Sequence, residues 1–346
     1  MSCRLKTRLE MILIRSAWSR IDKFLAAILL TVAFAAVMPA RGDAAWAVGW
    51  LTDAAIVLLF FMHGAKLSPE QALVGARHWR LHIMVFLSTF ALFPLLGISA
   101  RFLAPGFLPG PLWAGVILLT ALPSTVQASI VFTSVAGGNV PAAMCSATAS
   151  SLLGVFLTPL IAGFLLARHG LDISAHSVLA IVAQLLLPFV AGQLLRPWIG
   201  AYLTRHPLAL KSVDYGSVLI LVYTAFSHGV VDGIWHQIDA GDLFKVALVD
   251  IALLAAVMTI LTFGSRQLGF LRADQIAIVF CGSKKSLVNG VPIASLLFAG
   301  HVGLVVIPLM LFHQIQLMVC ASLARHYAAR RVTATERHAG LRATPV

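Results

Sequence analysis

Residues 276–298 read IAIVFCGSKKSLVNGVPIASLLF, and the polar centre of this stretch decides how the chain is read. Both ends are apolar. Gly282, Ser283, Lys284, Lys285 and Ser286 interrupt the middle. A helix needs about 20 apolar residues to cross the hydrocarbon of a bilayer, so the lysine pair falls near the midplane. An ammonium there costs about 2.5–3.5 kcal/mol on insertion scales. Two adjacent ones require water, a counter-charge, a ligand or freed backbone carbonyls close by. A cost of this kind marks a functional site, and in a membrane it points to a solute or ion path.

The rest of the chain supports the membrane reading. Its 346 residues are 60% hydrophobic and 11% charged, with a mean hydropathy of +0.93. Soluble domains carry about 25% charged residues, so the class is an all-α polytopic membrane protein. The net charge of +12 does not indicate nucleic acid, because the basic residues gather at the termini and in short loops, without interleaved aromatics. Cys3, Cys145, Cys281 and Cys320 are far apart, which excludes a disulfide framework and a C-x-x-C metal site. The basic start followed by apolar residues 24–38 looks like a secretory signal. Its removal would spoil the span count below, so it is read as the first span.

Spans are expected near 22–39, 47–65, 81–103, 112–135, 141–167, 174–197, 213–234, 243–265, 274–298 and 303–325. With the N-terminus inside, nineteen of the 25 Lys and Arg residues fall on the cytoplasmic side and four outside. Lys284 and Lys285 make up the remainder. The positive-inside rule then gives an even count with both termini cytoplasmic, in a cell's inner (plasma) membrane. The expected organisation is a cytoplasmic segment 1–21, a first five-helix repeat over 22–167, a second over 174–325 and a basic tail 326–346. That tail is expected to meet anionic lipid headgroups.

Five is an odd number, so the second repeat runs inverted relative to the first, and the fourth span of each should correspond. The fourth span, LLTALPSTVQASIVFTSVAGGN (118–139), carries Pro123-Ser124-Thr125, Gln127 and Ser129 at mid-depth. The ninth carries the 282–286 break. Proline frees a carbonyl one turn earlier, and in lipid such groups must be satisfied internally or line a wet cavity. The candidate substrate and ion site is therefore Thr125, Gln127 and Ser129 with Gly282, Ser283, Lys284, Lys285, Ser286 and Asn289, joined by His313 from the last span.

Each of these residues also has a plainer reading. Ser and Thr in membrane helices often bond only their own backbone. His313, Gln314, Gln316 and His63 suit helix-to-helix contacts. The lysines are read as anion-binding, as proton-exchanging, or as a fixed ammonium standing in for a coupling cation. Asp250 is a candidate partner for one of them, and Asp53 is a second intramembrane carboxylate. Gly137-Gly138-Asn139 reads as a turn. GSKKS lacks the glycine spacing and the strand of a phosphate loop. No catalytic constellation, metal motif or cofactor signature emerges, so the chain is not read as an enzyme.

The runs FFMHGAKLS (60–68), LPSTVQASIVFTSVAGGN (122–139), VFCGSKKSLVNGVPIA (279–294) and FHQIQLMVCA (312–321) resemble the bile acid:sodium symporter superfamily. They are most similar to its SBF-like branch, whose members include bacterial proteins of unassigned substrate and eukaryotic proteins linked to calcium homeostasis. The resemblance covers residues 20–328. It implies ten helices in two inverted repeats, a panel and a core domain, and a core in which helices four and nine cross. Sodium-coupled relatives keep a glutamate, a glycine and a Gln-Asn pair on the ninth helix. If Gly282 matches that glycine, Phe280 holds the glutamate's place and Lys284 and Lys285 replace the pair. Ser129 matches a serine of the fourth helix, and Ile130 replaces the asparagine after it.

The expected function is secondary active transport of a small organic, anionic solute by alternating access, with sodium or protons as the coupling ion. The alternative is a membrane regulator of calcium homeostasis that carries no organic solute.

Overall fold

The computed structural model describes residues 23–66, 78–167, 175–231, 233, 239–298 and 302–342. Residues 1–21, expected to form a cytoplasmic segment, together with the loop cations Arg77 and Arg168, lie outside the described residues.

Among the described residues every regular element is helical. In chain order the helices are α1 (Lys23–Val37), α2 (Asp43–Lys66), α3 (Trp79–Leu103), α4 (Gly110–Ala121), α5 (Val126–Val135) and α6 (Val140–Ala167). They are followed by α7 (Ala175–Arg205), α8 (Pro207–Val231), α9 (Ala240–Gln267), α10 (Arg272–Gly282), α11 (Leu287–Leu297) and α12 (Val302–Arg342). Six stretches are long and apolar enough to cross a membrane: α2, α3, α6, α9, α10 with α11, and α12 as far as Ala329. The pair α4–α5, bent by 62°, makes a seventh. Helices α1, α7 and α8 stand where the spans near 22–39, 174–197 and 213–234 were expected.

Three features differ from the sequence reading. The expected loop between the spans 174–197 and 213–234 is helix except at His206, with α7 running to Arg205 and α8 starting at Pro207. Helix α12 continues to Arg342, so the expected tail from residue 326 begins as helix; its Ala- and Arg-rich run holds no breaker before Gly340. Helix α3 contains a wider π-helical turn over Ser88–Leu92, directly before Pro94. A missing proline N–H makes an α-register costly at that point.

Helices α1, α2, α7 and α8 pack with one another, and α3–α6 with α9–α12 form a second group. Hydrocarbon solvates leucine as well as a protein interior does, so helices in lipid associate through close packing rather than hydrophobic exclusion. The contact of α2 with α7 shows how. Gly64 lies against the Phe189 carbonyl, and Gly192 lies against the Phe61 carbonyl. A Cβ at either glycine would overlap that oxygen. The outward faces are apolar, with Leu30, Trp46, Phe102, Trp198 and Phe244 all more than two-thirds exposed. In contrast, α10–α11 is buried along almost its whole length from Ile276 to Ala294, so the lysine-bearing pair is the innermost element.

Candidate functional site

Helix α4 stops because Pro123 has no N–H to continue the ladder and Leu122 turns extended (φ −67°, ψ 151°). Helix α5 restarts at Val126 after the extended Thr125. Helix α10 stops at Gly282, and α11 restarts behind Ser286, whose Oγ accepts from the Asn289 N–H at 3.3 Å. The two breaks lie against each other. The Ser286 N–H donates to the Pro123 carbonyl at 2.9 Å. Thr125 Oγ1 donates to the Lys285 carbonyl at 2.7 Å.

The freed carbonyls are met one by one. At the end of α10, Ser129 Oγ donates to the Phe280 carbonyl (3.2 Å), Ser124 Oγ to Cys281 (2.7 Å) and Ser88 Oγ to Gly282 (2.9 Å). At the end of α4, Thr158 Oγ1 donates to the Ala121 carbonyl (2.8 Å). Three serines and a threonine thus replace the water that a soluble helix end would use.

Lys285 completes the set. Its Nζ donates to the carbonyls of Thr89, Thr120 and Leu122 at 2.8, 2.7 and 2.8 Å. Those three bonds use all three donors of an ammonium. The Phe93 ring closes the remaining side, its centroid 4.2 Å from Nζ. The backbone of Lys285 is clasped as well: its N–H donates to Gln316 Oε1, and Gln316 Nε2 donates to its carbonyl, both at 2.9 Å. Lys285 is 1% exposed.

Lys284 has a different environment. It is fully buried, and its Nζ meets no oxygen or nitrogen acceptor among the described residues. The Phe132 ring lies 4.0 Å away and the Phe280 ring 5.2 Å away, with the Cys281 and Cys320 thiols beside it. At about 100° per residue, neighbours on a chain point to different sides, and here one lysine faces carbonyls while the other faces aromatic rings.

A cavity of about 520 Å³ opens beside the crossing. Its wall includes Thr125, Gln127, Ser286, Asn289 and His313 from the candidate set, together with Phe132, Ser151, Phe189, Asp214 and Tyr215. Ser129, Gly282, Ser283, Lys284 and Lys285 stand behind the wall. Ser283 Oγ bonds the Val279 carbonyl of its own helix at 2.6 Å. The cavity faces the first turns of α5 and α11. Thr125 does not cap α5 with its side chain, since its hydroxyl is committed to Lys285. The two half-helices therefore present N-termini, their positive dipole ends, to the cavity. The C-terminal ends of α4 and α10, where negative dipole charge gathers, meet the lysines.

Several parts of this arrangement were not read from the sequence. Phe132 and Ser151 line the cavity although nothing in their local pattern marks them, and Asp214, a carboxylate near the interface end of the expected span 213–234, lines it as well. Thr89 joins the lysine cradle through the π-turn, for which Pro94 was the available signal. Asp250 is fully buried with neither carboxylate oxygen hydrogen-bonded among the described residues, so the candidate pairing with a lysine is not seen. Asp53 lies on an exposed face. Asn139 closes the 137–139 turn: its side chain accepts from the Ala142 N–H (3.1 Å) and donates to Asp274 (2.7 Å). Among the described residues no three His, Cys, Asp or Glu side chains gather as metal ligands.

Comparison with known proteins places this architecture. A protein of Escherichia coli (strain K12) named "Putative symporter YfeH" is 52% identical over 308 residues, covering 89% of this chain and 93% of the relative. Sodium/bile acid cotransporter 7 of Xenopus tropicalis is 28% identical over 315 residues, covering 87% and 90%. The protein of the same name from Mus musculus is 28% identical over 277 residues, covering 77% and 79%. These relatives are named as transporters rather than enzymes. The SBF-like CPA transporter family matches residues 22–329, and the chain, an integral membrane protein with several apolar spanning helices, belongs to it.

Proposed function

We propose that the protein is a secondary active transporter that carries a small organic anion across the inner (plasma) membrane, coupled to a sodium or proton gradient. The observation that carries this reading is the cavity faced by two half-helix N-termini. Those ends supply oriented N–H groups and partial positive charge to a negatively charged group. Ser151, Asn289 and Gln127 add hydrogen-bonding groups, and Phe132, Val155, Phe189 and Leu317 add apolar wall. A polar anchor on an apolar wall suits an organic anion better than a bare inorganic ion.

The proposed framework is ten spans in two inverted five-helix repeats, with both termini cytoplasmic. In its support, the breaks fall in the fourth and ninth helical segments in chain order, and the second half of each broken pair restarts at the cavity. The α1, α2, α7 and α8 group corresponds to a panel and the other helices to a core. The cavity wall takes residues from both, including Phe189 of α7 and Asn289 of α11. Rocking of one group against the other would open the cavity to alternate sides.

Uptake into proteoliposomes tests the proposal. Purified protein is offered a metabolite mixture under an imposed sodium gradient, a proton gradient, or neither. Accumulation of a carboxylate, sulfonate or phosphate ester under one gradient is expected. Accumulation restricted to neutral or cationic solutes would overturn the anion assignment, and absence of any protein-dependent flux would overturn transport.

A further inference from the structure

The carbonyls of Thr89, Thr120 and Leu122 converge on one point, and each lacks a helical donor for its own covalent reason. In the π-turn, the Phe93 N–H already donates to Ser88. The next donor in that register would come from residue 94, which is proline, so Thr89 O has none. Thr120 O would look to residue 123, again a proline, or to Ser124, whose N–H donates to Ser150 Oγ at 3.0 Å. Leu122 sits in the extended break, where no helical ladder exists. Three oxygens with partial negative charge thus face one buried point near the C-terminal end of α4. Hydrogen-bond donors are required there, because three unpaired carbonyls in a dry interior each cost about 1–3 kcal/mol, and a positive charge also offsets the mutual repulsion of the oxygens.

We propose that these three carbonyls form a monovalent-cation site that the chain occupies permanently with its own Lys285 ammonium. Carbonyl oxygens arranged around a point are the ligand set that replaces the hydration shell of an alkali ion. The two prolines, the π-turn and the Ser150 contact, none of which involves the lysine, each constrain the backbone that carries these oxygens. The Phe93 face at 4.2 Å would favour any cation. Lys285 is fixed at its backbone by Gln316 and Thr125, so its stem delivers the charge from a rigid post. The tether makes occupancy independent of cation concentration at this position. Lys284, one residue away, has no such oxygens and is the built-in comparison. The site is separate from the solute cavity, and its test needs no knowledge of the transported solute.

The experiment measures thermal stability of detergent-purified Lys285→Ala, Lys284→Ala and wild-type protein in chloride salts at constant ionic strength. The cations are choline, sodium, potassium, ammonium and methylammonium. Ligand binding to the folded state alone raises stability by mass action. Lys285→Ala is expected to gain several degrees in at least one small cation relative to choline, because the vacated cradle accepts it. Wild type and Lys284→Ala are expected to show no such preference. A folded Lys285→Ala whose stability is the same in every salt overturns the proposal. So does an equal cation preference in all three proteins, which would place cation binding elsewhere. If Lys285→Ala is recovered from membranes only when a small cation is supplied, that dependence supports the site. If it is not recovered in any salt, Lys285→Met, which fills the stem's volume without charge, decides. Cation-dependent recovery or stability of Lys285→Met supports the site, and a cation-indifferent or unrecoverable Lys285→Met counts against it.

Discussion

The Phe132 ring lies against Lys284 Nζ at 4.0 Å and also lines the cavity, so one aromatic ring separates a buried ammonium from the space assigned to solute. The adjacent Lys285 is saturated by carbonyls. Of the two lysines, Lys284 is therefore the one that lies directly behind a cavity-lining ring.

Phe132→Ala should open that path. The expected outcome is several-fold greater labelling of Lys284 by a small water-soluble amine reagent, read by peptide mass spectrometry. Lys285 should stay unlabelled, because its ammonium is held behind α3 and α4. Equal labelling of Lys284 in wild type and variant would show that Phe132 is not the barrier.

The α2–α7 contact leaves no space for a methyl group at two positions. Gly64→Ala and Gly192→Ala each drive a Cβ into a backbone oxygen that cannot swing away, and overpacking of this kind costs about 1–3 kcal/mol. Gly49, on the same helix as Gly64, has nothing within 4 Å of a Cβ, so Gly49→Ala should be neutral or slightly stabilising. Thermal unfolding in detergent separates the three variants, and a Gly64→Ala protein as stable as Gly49→Ala would refute the close packing.

Ser124 holds the end of α10 to the break in the other helix. Ser124→Ala leaves the Cys281 carbonyl without its 2.7 Å donor and should destabilise by about 0.6 kcal/mol, up to about 1.7. Ser295 Oγ bonds only the Val291 carbonyl of its own helix among the bonds seen, so Ser295→Ala should change stability much less. Equal effects in paired unfolding measurements would assign no special weight to the crossing.

Gln127 is exposed to the cavity and Asn289 lines it, with Asn289 Nδ2 donating to Ser151 Oγ at 3.1 Å. Once a solute is known, Gln127→Ala should weaken its binding by about tenfold, the equivalent of one lost hydrogen bond of about 1.4 kcal/mol, without loss of stability. Asn289→Ala should weaken both binding and stability, because it also removes an interhelical bond. Isothermal binding alongside thermal unfolding tells these apart, and unchanged affinity in both variants would move the solute site elsewhere.

Much of this protein was legible before any coordinates. Apolar runs bounded by charge located the helices, because a bilayer leaves the backbone no other way to satisfy its hydrogen bonds, but they missed the extensions of α7 to Arg205, of α8 back to Pro207 and of α12 to Arg342. Pro123 and Gly282 announced the two breaks, since neither residue supports helical continuity in lipid without help. The cost of burying ammonium groups required water, a counter-charge, a ligand or freed carbonyls, and the structure supplies carbonyls for Lys285 alone. Membership of the family was carried by the same breaks.

What each lysine does was decided only in three dimensions. Residues 284 and 285 are chemically identical neighbours, and no local pattern says which meets oxygens and which meets rings. The carbonyl of Thr89 reaches Lys285 across 196 positions of chain, through a π-turn whose only trace in the sequence is Pro94. The nearer ring over Lys284 comes from Phe132, on a different helix, and joins Phe280 of the lysine's own broken helix pair. Sequence fixes where a helix must break, because that depends on the missing N–H of a proline or the missing side chain of a glycine. Tertiary structure decides what fills the gap, because the partners arrive from other helices at angles set by packing.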